Sequence, residues 1–173
     1  MKKGLLAVFT GNGKGKTTAA LGLAMRAAGH GFNICIIQFI KGNRNCGEHK
    51  AAERFGDRIE FHVTGKGFTW KSKDIKEDMD AAAKAWQFAK NVISSGNYEM
   101  VILDELTYLA RYEIVNEDEI VKFLSKKPED LHVIVTGRYA GKALIDAADL
   151  VTEMREIKHP HQAGVKAQKG IEF

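Results

Sequence analysis

Short apolar runs recur along the chain, separated by longer stretches in which apolar positions advance by three and four residues. Leu5–Thr10, Asn33–Phe39, Ile59–Val63, Met100–Glu105, Leu131–Thr136 and Leu150–Ile157 are the short runs. All six are read as strands, and Leu5–Thr10 and Asn33–Phe39, apolar on successive positions, as strands covered on both faces, as in a parallel sheet. Between them, Lys16–Ala28 reads as a helix closed by Gly29 and Gly31. A shorter helix is predicted near Glu48–Phe55, another at Asn116–Ser125 ahead of Pro128, and another at Lys142–Ala148. The longest opens with Asp74 and Glu77 at capping-box spacing and carries Ile75, Met79, Ala82, Trp86, Ala89 and Ile93 on one face. Trp86 on that face is a core residue. Alternating strands and helices predict one α/β domain over 1–173: an open parallel sheet of about six strands with helices on both faces. The tail, about 158–173, has no clear period.

Composition narrows the class without naming a function. The 173 residues are 45% hydrophobic and 28% charged, ordinary for one globular domain. A net charge of +4 suits a polyanionic small molecule and is too weak to argue for nucleic acid. Cys35 and Cys46 form no C-x-x-C pair, which points to a reducing compartment and free thiols. No apolar run reaches membrane-spanning length, and Met1–Gly4 enter the first strand too quickly for a signal peptide. The expectation is a cytoplasmic protein. His159-Pro160-His161 has no carboxylate or cysteine companion at ligand spacing and reads as solvated histidines.

The chemistry concentrates where the first strand meets the first helix. Gly11, Asn12, Gly13, Lys14, Gly15, Lys16, Thr17 and Thr18 form a glycine-rich loop that ends in Lys-Thr and opens a helix. Such a loop turns backbone N–H groups onto a polyphosphate, and the helix dipole points at the same anion. Lys16 supplies a mobile cation and Thr17 a hydroxyl placed for Mg²⁺. The usual G-x-x-x-x-G-K-[ST] pattern puts Thr10 where the first glycine belongs, so Gly11 and Gly13 are expected to supply the turning freedom.

Met100–Leu103 followed by Asp104-Glu105 reads as the second half of this site, a Walker B strand with its carboxylates at the sheet's ligand-binding edge. Asp104 would hold magnesium directly or through water, and a Glu in the place of Glu105 polarises water in many P-loop ATPases. Arg138, after Thr136-Gly137, falls at the same edge and could clamp phosphate or simply form a surface ion pair.

Phe68 and Trp70 stand two apart on a loop flexed by Gly65 and Gly67. In an extended segment both project to one side. They fit equally a flat apolar second substrate and an anchor into the core. Two other functions use the same nucleotide residues: a P-loop ATPase or small-molecule kinase, in which Glu105 would activate water or an acceptor hydroxyl, and a nucleotide sensor or nucleic-acid module.

The whole pattern is more specific than its parts. FTGNGKGKTT at Phe9–Thr18, QFIKG at Gln38–Gly42, TGKGFTW at Thr64–Trp70, VILDELTY at Val101–Tyr108, TGR at Thr136–Arg138 and AGVKAQKGIEF at Ala163–Phe173 occur in one order. Together they resemble the P-loop ATP:corrinoid adenosyltransferases, from about Leu5 to the C-terminus. The resemblance implies a RecA-like fold, a homodimer, and transfer of the 5′-deoxyadenosyl group of ATP to the Co(I) of a reduced corrinoid, with release of triphosphate. It implies Lys16, Glu105 and Arg138 as catalytic residues, and Thr17, Asp104 and Glu105 as the holders of Mg²⁺, with Mn²⁺ as an alternative. Phe68 and Trp70 would occupy the corrinoid's lower face and exclude its axial ligand, which eases reduction of Co(II). A flavodoxin-type protein is the implied reductase. Some relatives cover the site with an N-terminal extension, whereas Met1–Gly4 alone precede the first strand here.

Overall fold

The computed structural model describes residues 3–40, 46–64 and 75–172, the side chains of 75–77 excepted. Asp74 and the Glu77 side chain, the expected capping pair, lie outside the described residues, as do Phe68 and Trp70. Six strands alternate with helices: β1 Leu6–Thr10, α1 Lys16–Gly29, β2 Ile34–Gln38, α2 Gly47–Ala52, β3 Ile59–Val63, α3 Ile75–Ser94, β4 Met100–Asp104, α4 Thr107–Arg111, α5 Glu117–Leu124, β5 His132–Thr136, α6 Lys142–Ala147 and β6 Leu150–Glu153. Every strand pairing is parallel, in the order β3-β2-β4-β5-β1-β6.

The alternation within each strand builds two cores. Leu6, Val8, Cys35, Ile37, Val101, Leu103, Val133 and Val135 face α3 to α6. Ala7, Phe9, Ile34, Ile36, Ile102 and Ile134 face α1. Helix α1 meets the sheet through Ala20, Ala24 and Ala27, small side chains one turn apart that let its backbone lie close. Ile34 and Val8 are fully buried, each such side chain contributing about 1.5–3 kcal/mol. Trp86 is 3% exposed, as expected of a core residue, and its indole N–H donates to Glu119 Oε1 at 3.2 Å.

The elements differ from the sequence pattern at several ends. The helix expected to Phe55 stops at Ala52 and continues as a 3₁₀ turn over Glu53–Arg58. Gly56 breaks it with φ 59° and ψ −134°. Strand β4 ends at Asp104, because Glu105 takes φ 65°. Strand β6 ends at Glu153 rather than Ile157, and all four of its residues are exposed. Helix α4, five residues long, is too short for a helical period to show in the sequence.

Chain direction positions the site. From β1 the chain passes to α1 on one face, and from β5 to α6 on the other. Connections leaving opposite faces open a crevice at the carboxyl ends of adjacent strands. Phe9 sits opposite Thr136 and Gln38 opposite Asp104.

Candidate functional site

The loop after β1 wraps the start of α1, with Gly15 at φ 108° as the residue before the helix. Gly11 takes φ 96°, and a Cβ there would lie 2.4 Å from the Met154 carbonyl oxygen. Only glycine fits both constraints. The close approach has a purpose: Met154 N–H donates to Thr10 O at 2.8 Å, and Gly13 N–H donates to Met154 O at 2.7 Å. The backbone after β6 thus pins the loop from outside. Thr10, at the place of the missing glycine, is ordinary strand backbone, and its Oγ1 accepts from Ala140 N–H at 3.2 Å.

Lys16 Nζ donates to Gly11 O and Gly13 O, each at 2.7 Å, which holds the ammonium over the loop. Burial pushes its pKa down, and Arg138 adds to the shift, while Glu105 and Asp104 oppose it. A cation in this condition gains from any anion that enters.

Asp104 is the buried hub of the site, 1% exposed. Its Oδ1 accepts from Thr17 Oγ1 at 2.8 Å and from Thr136 Oγ1 at 2.6 Å, and its Oδ2 from Gln38 Nε2 at 3.0 Å. Thr136 Oγ1 in turn accepts from Glu105 N–H at 2.9 Å. That bond fixes a non-glycine residue in left-handed backbone, a conformation costing about 1–3 kcal/mol that surrounding structure must hold. The Thr17 hydroxyl, the Asp104 carboxylate and the Glu105 side chain at the cleft form an all-oxygen donor set. This suits a hard dication that keeps water and substrate phosphate as its other ligands. Among the described residues no group of three or more His, Cys, Asp or Glu could hold a metal unaided. His159 Nδ1 accepts from His161 N–H at 3.1 Å; His159 is half-buried and His161 exposed.

A cleft of about 250 Å³ opens in front of these groups, lined by Asn12 to Thr18, Glu105, Tyr108, Thr136, Gly137, Arg138, Ile171 and Glu172. It gathers the expected nucleotide residues except Gly11, which lies behind the loop against Met154. Arg138 is on the cleft wall and exposed, on a backbone fixed by Thr107 Oγ1 donating to Arg138 O at 2.6 Å.

Four contributors lie in segments that carry the resemblance but have no role assigned to them in the sequence. Tyr108 faces the cleft, its pKa raised first by burial and then by Glu105. Ile171 and Glu172 bring the aperiodic tail back to the P-loop, where Glu172 Oε2 pairs with Lys14 Nζ at 3.1 Å. Gln38, 1% exposed, ends β2 and opens the QFIKG segment.

Comparisons with known proteins bear on the family and the fold. A corrinoid adenosyltransferase of Sinorhizobium sp. is 47% identical over 174 residues, 99% of this chain and 81% of that protein. One from Escherichia coli (strain K12) is 44% identical over 172 residues, 99% of this chain and 87% of its own length. Among solved structures, the flagellar accessory protein FlaH of Methanocaldococcus jannaschii superposes with a TM-score of 0.56 over 88% of this chain and 72% of its own. At 13% identity it carries the fold alone. The model of the family ATP:corrinoid adenosyltransferase BtuR/CobO/CobP matches residues 2–173, and the chain belongs to that family.

Proposed function

We propose that the protein transfers the 5′-deoxyadenosyl group of ATP to the Co(I) of a reduced corrinoid in adenosylcobalamin synthesis or salvage. The observation that carries the reading is a cationic, amide-lined cleft on a family-wide match over residues 2–173. In the transfer, the cobalt electron pair attacks C5′, the cobalt–carbon bond forms, and the C5′–O bond breaks with its electrons leaving on triphosphate. Co(I) is itself the nucleophile, so the protein's work is alignment and charge neutralisation.

Lys16, the loop amides from Asn12 to Thr18, and Arg138 surround the leaving triphosphate. Thr17, Asp104 and Glu105 would hold Mg²⁺, which when bound neutralises charge on the leaving oxygens. Asp104 is oriented for this by Thr136 and Gln38, and the Glu105 backbone is fixed by its N–H donating to Thr136 Oγ1. Phe68 and Trp70, which follow β3 in sequence, are assigned to the corrinoid's lower face by the resemblance alone. A homodimer, a flavodoxin-type reductase and a cytoplasmic setting complete the proposal. No helix among the described residues is long and apolar enough to cross a membrane.

Anaerobic incubation with MgATP and chemically reduced cobalamin tests the reading. The expected product has the light-sensitive absorbance of adenosylcobalamin, together with free triphosphate. Phe68→Ala or Trp70→Ala should retain activity with Co(I) supplied and lose it when Co(II) must be reduced on the protein. ADP and phosphate without a cobalt–carbon bond would overturn the proposal in favour of a P-loop ATPase.

A further inference from the structure

Gln38 occupies a junction that the nucleotide site alone does not require. Its side chain is buried at the carboxyl end of β2, beside Asp104 in the sheet register. Nε2 donates to Asp104 Oδ2 at 3.0 Å, and a carboxylate can only accept, so the orientation of the amide is settled. Oε1 therefore faces the ring of His49, whose Nε2 lies 3.2 Å away and must carry the proton of that contact. The backbone oxygen of the same residue accepts twice from Thr64, from N–H at 3.0 Å and from Oγ1 at 2.9 Å. Thr64 is the residue from which the chain enters the segment bearing Phe68 and Trp70. His49 packs on Phe61 with ring centroids 4.2 Å apart, and with Phe61, His62 and Thr64 it lines a second cleft of about 640 Å³ beside β3, the last strand of the sheet order.

We propose that His49 and Gln38 are positioning residues that act through Asp104, a relay from the wall of the β3 cleft to the carboxylate that holds magnesium. His49 donates to Gln38 and fixes the amide. Gln38 donates to Asp104 Oδ2 and leaves Oδ1 turned toward Thr17. A carboxylate anchored on one oxygen presents the other in a single orientation, which is what a metal bound through few protein ligands needs. Through its backbone oxygen, Gln38 also fixes Thr64, the last described residue before Phe68 and Trp70 in sequence, beside this carboxylate. The inference rests on the reading of Asp104 as the magnesium carboxylate.

Equilibrium binding of ATP, with magnesium and with EDTA, tests the relay on His49→Phe, His49→Gln and Gln38→Met. Phenylalanine preserves the packing on Phe61 but cannot donate, whereas glutamine restores an N–H donor. The expected result for His49→Phe is an affinity for ATP about five- to tenfold weaker with magnesium and unchanged with EDTA, since one link of a charged hydrogen-bond chain is lost. His49→Gln should recover most of that loss, and Gln38→Met should show the larger version of the same magnesium-dependent defect. His49→Phe, which alters a half-buried ring rather than the core, keeps the test open if Gln38→Met does not fold. Wild-type affinity in His49→Phe, equal losses in the Phe and Gln variants, or losses that persist in EDTA would each overturn the relay while leaving adenosyl transfer intact as a proposal. If the unaltered protein binds ATP equally with and without magnesium, the metal role of Asp104 fails and the relay fails with it.

Discussion

Replacing Thr136 by valine removes one hydroxyl from the most constrained point of the site and changes almost nothing in shape. Thr136 is fully buried, and its Oγ1 does two things at once: it donates to Asp104 Oδ1 at 2.6 Å and accepts from Glu105 N–H at 2.9 Å. In Thr136→Val a methyl group faces both. The carboxylate loses a charge-assisted donor, worth about 1.5–3 kcal/mol, and the Glu105 amide loses its acceptor, a further ~1–3 kcal/mol. The two losses share one network and do not simply add, so the expected destabilisation is about 3 kcal/mol. A domain with a total stability of about 5–15 kcal/mol survives that loss. At this chain length it corresponds to a fall in Tm of about 6–12 °C.

Urea unfolding is the assay, and the midpoint should fall with the slope unchanged. Thr136→Ser is the control. It keeps the hydroxyl and gives up one buried methyl, for about 1 kcal/mol. The functional readout separates the variants further: once Glu105 is released from its φ of 65°, adenosyl transfer by Thr136→Val should slow at least tenfold. Thr136→Ser should stay within a few-fold of the parent. If the valine protein is as stable as the serine protein, or as active, the hydroxyl does not organise the carboxylate pair and the account of the site is wrong.

Lys16→Ala should lower the rate of adenosyl transfer by about 10²–10³-fold, the usual range for one charge-stabilising group, with little change in Tm. Its amine is bonded to the loop's own carbonyls and not to the core. Thr10→Gly, which restores the common form of the motif, should destabilise the fold by about 1–2 kcal/mol. It deletes the acceptor for Ala140 N–H and places glycine in a buried strand, and urea unfolding would measure the loss. Stability should also fall at high pH. Burial raises the Cys35 thiol from 9.0 to about 12, with Glu60 adding to the shift and Tyr98 opposing it. Between those values the unfolded chain has lost a proton that the folded chain keeps. The contribution is therefore complete below pH 9 and declines by about 1.4 kcal/mol per pH unit up to about 12. Cys35→Ala should flatten that slope in unfolding measurements made across the range.

Period and punctuation were enough to find all six strands and most helices: β1, β2, β4 and β5 are apolar runs bounded by glycine or polar residues, while β3 and β6 are short stretches that mix apolar and polar residues. The ends were less legible. Glu105 continues the acidic pair in sequence but leaves the strand through a left-handed turn held by Thr136, and nothing local in the sequence announces that partner. Helix α4 is five residues long and follows an apolar strand after one turn, too short for a 3.6-residue period to register. The loop residues from Asn12 to Thr18 were readable for the opposite reason. Their chemistry is local, with glycine, lysine and threonine at fixed spacing beside a helix start.

What holds that loop in place is not local at all. Thr10 meets Ala140 across 130 residues of sequence, Gln38 meets Asp104 across 66, and Asp104 meets Thr136 across 32. Each of these partners stands at the carboxyl end of a strand or just beyond it, so strand order alone decides who meets whom. With β1 between β5 and β6, the loop is gripped from two sides: by Ala140 beyond β5, and by Met154 beyond β6. That double grip explains why the motif tolerates threonine in place of its first glycine. The sharp turn comes one residue later at Gly11, where the Met154 carbonyl leaves no room for a Cβ, while the residue before it is free to be a β-branched strand former with a hydroxyl to offer. A protein with the same loop sequence but no strand beyond β1 would have no carbonyl in that place. Gly11 would then be held to glycine by its φ of 96° alone.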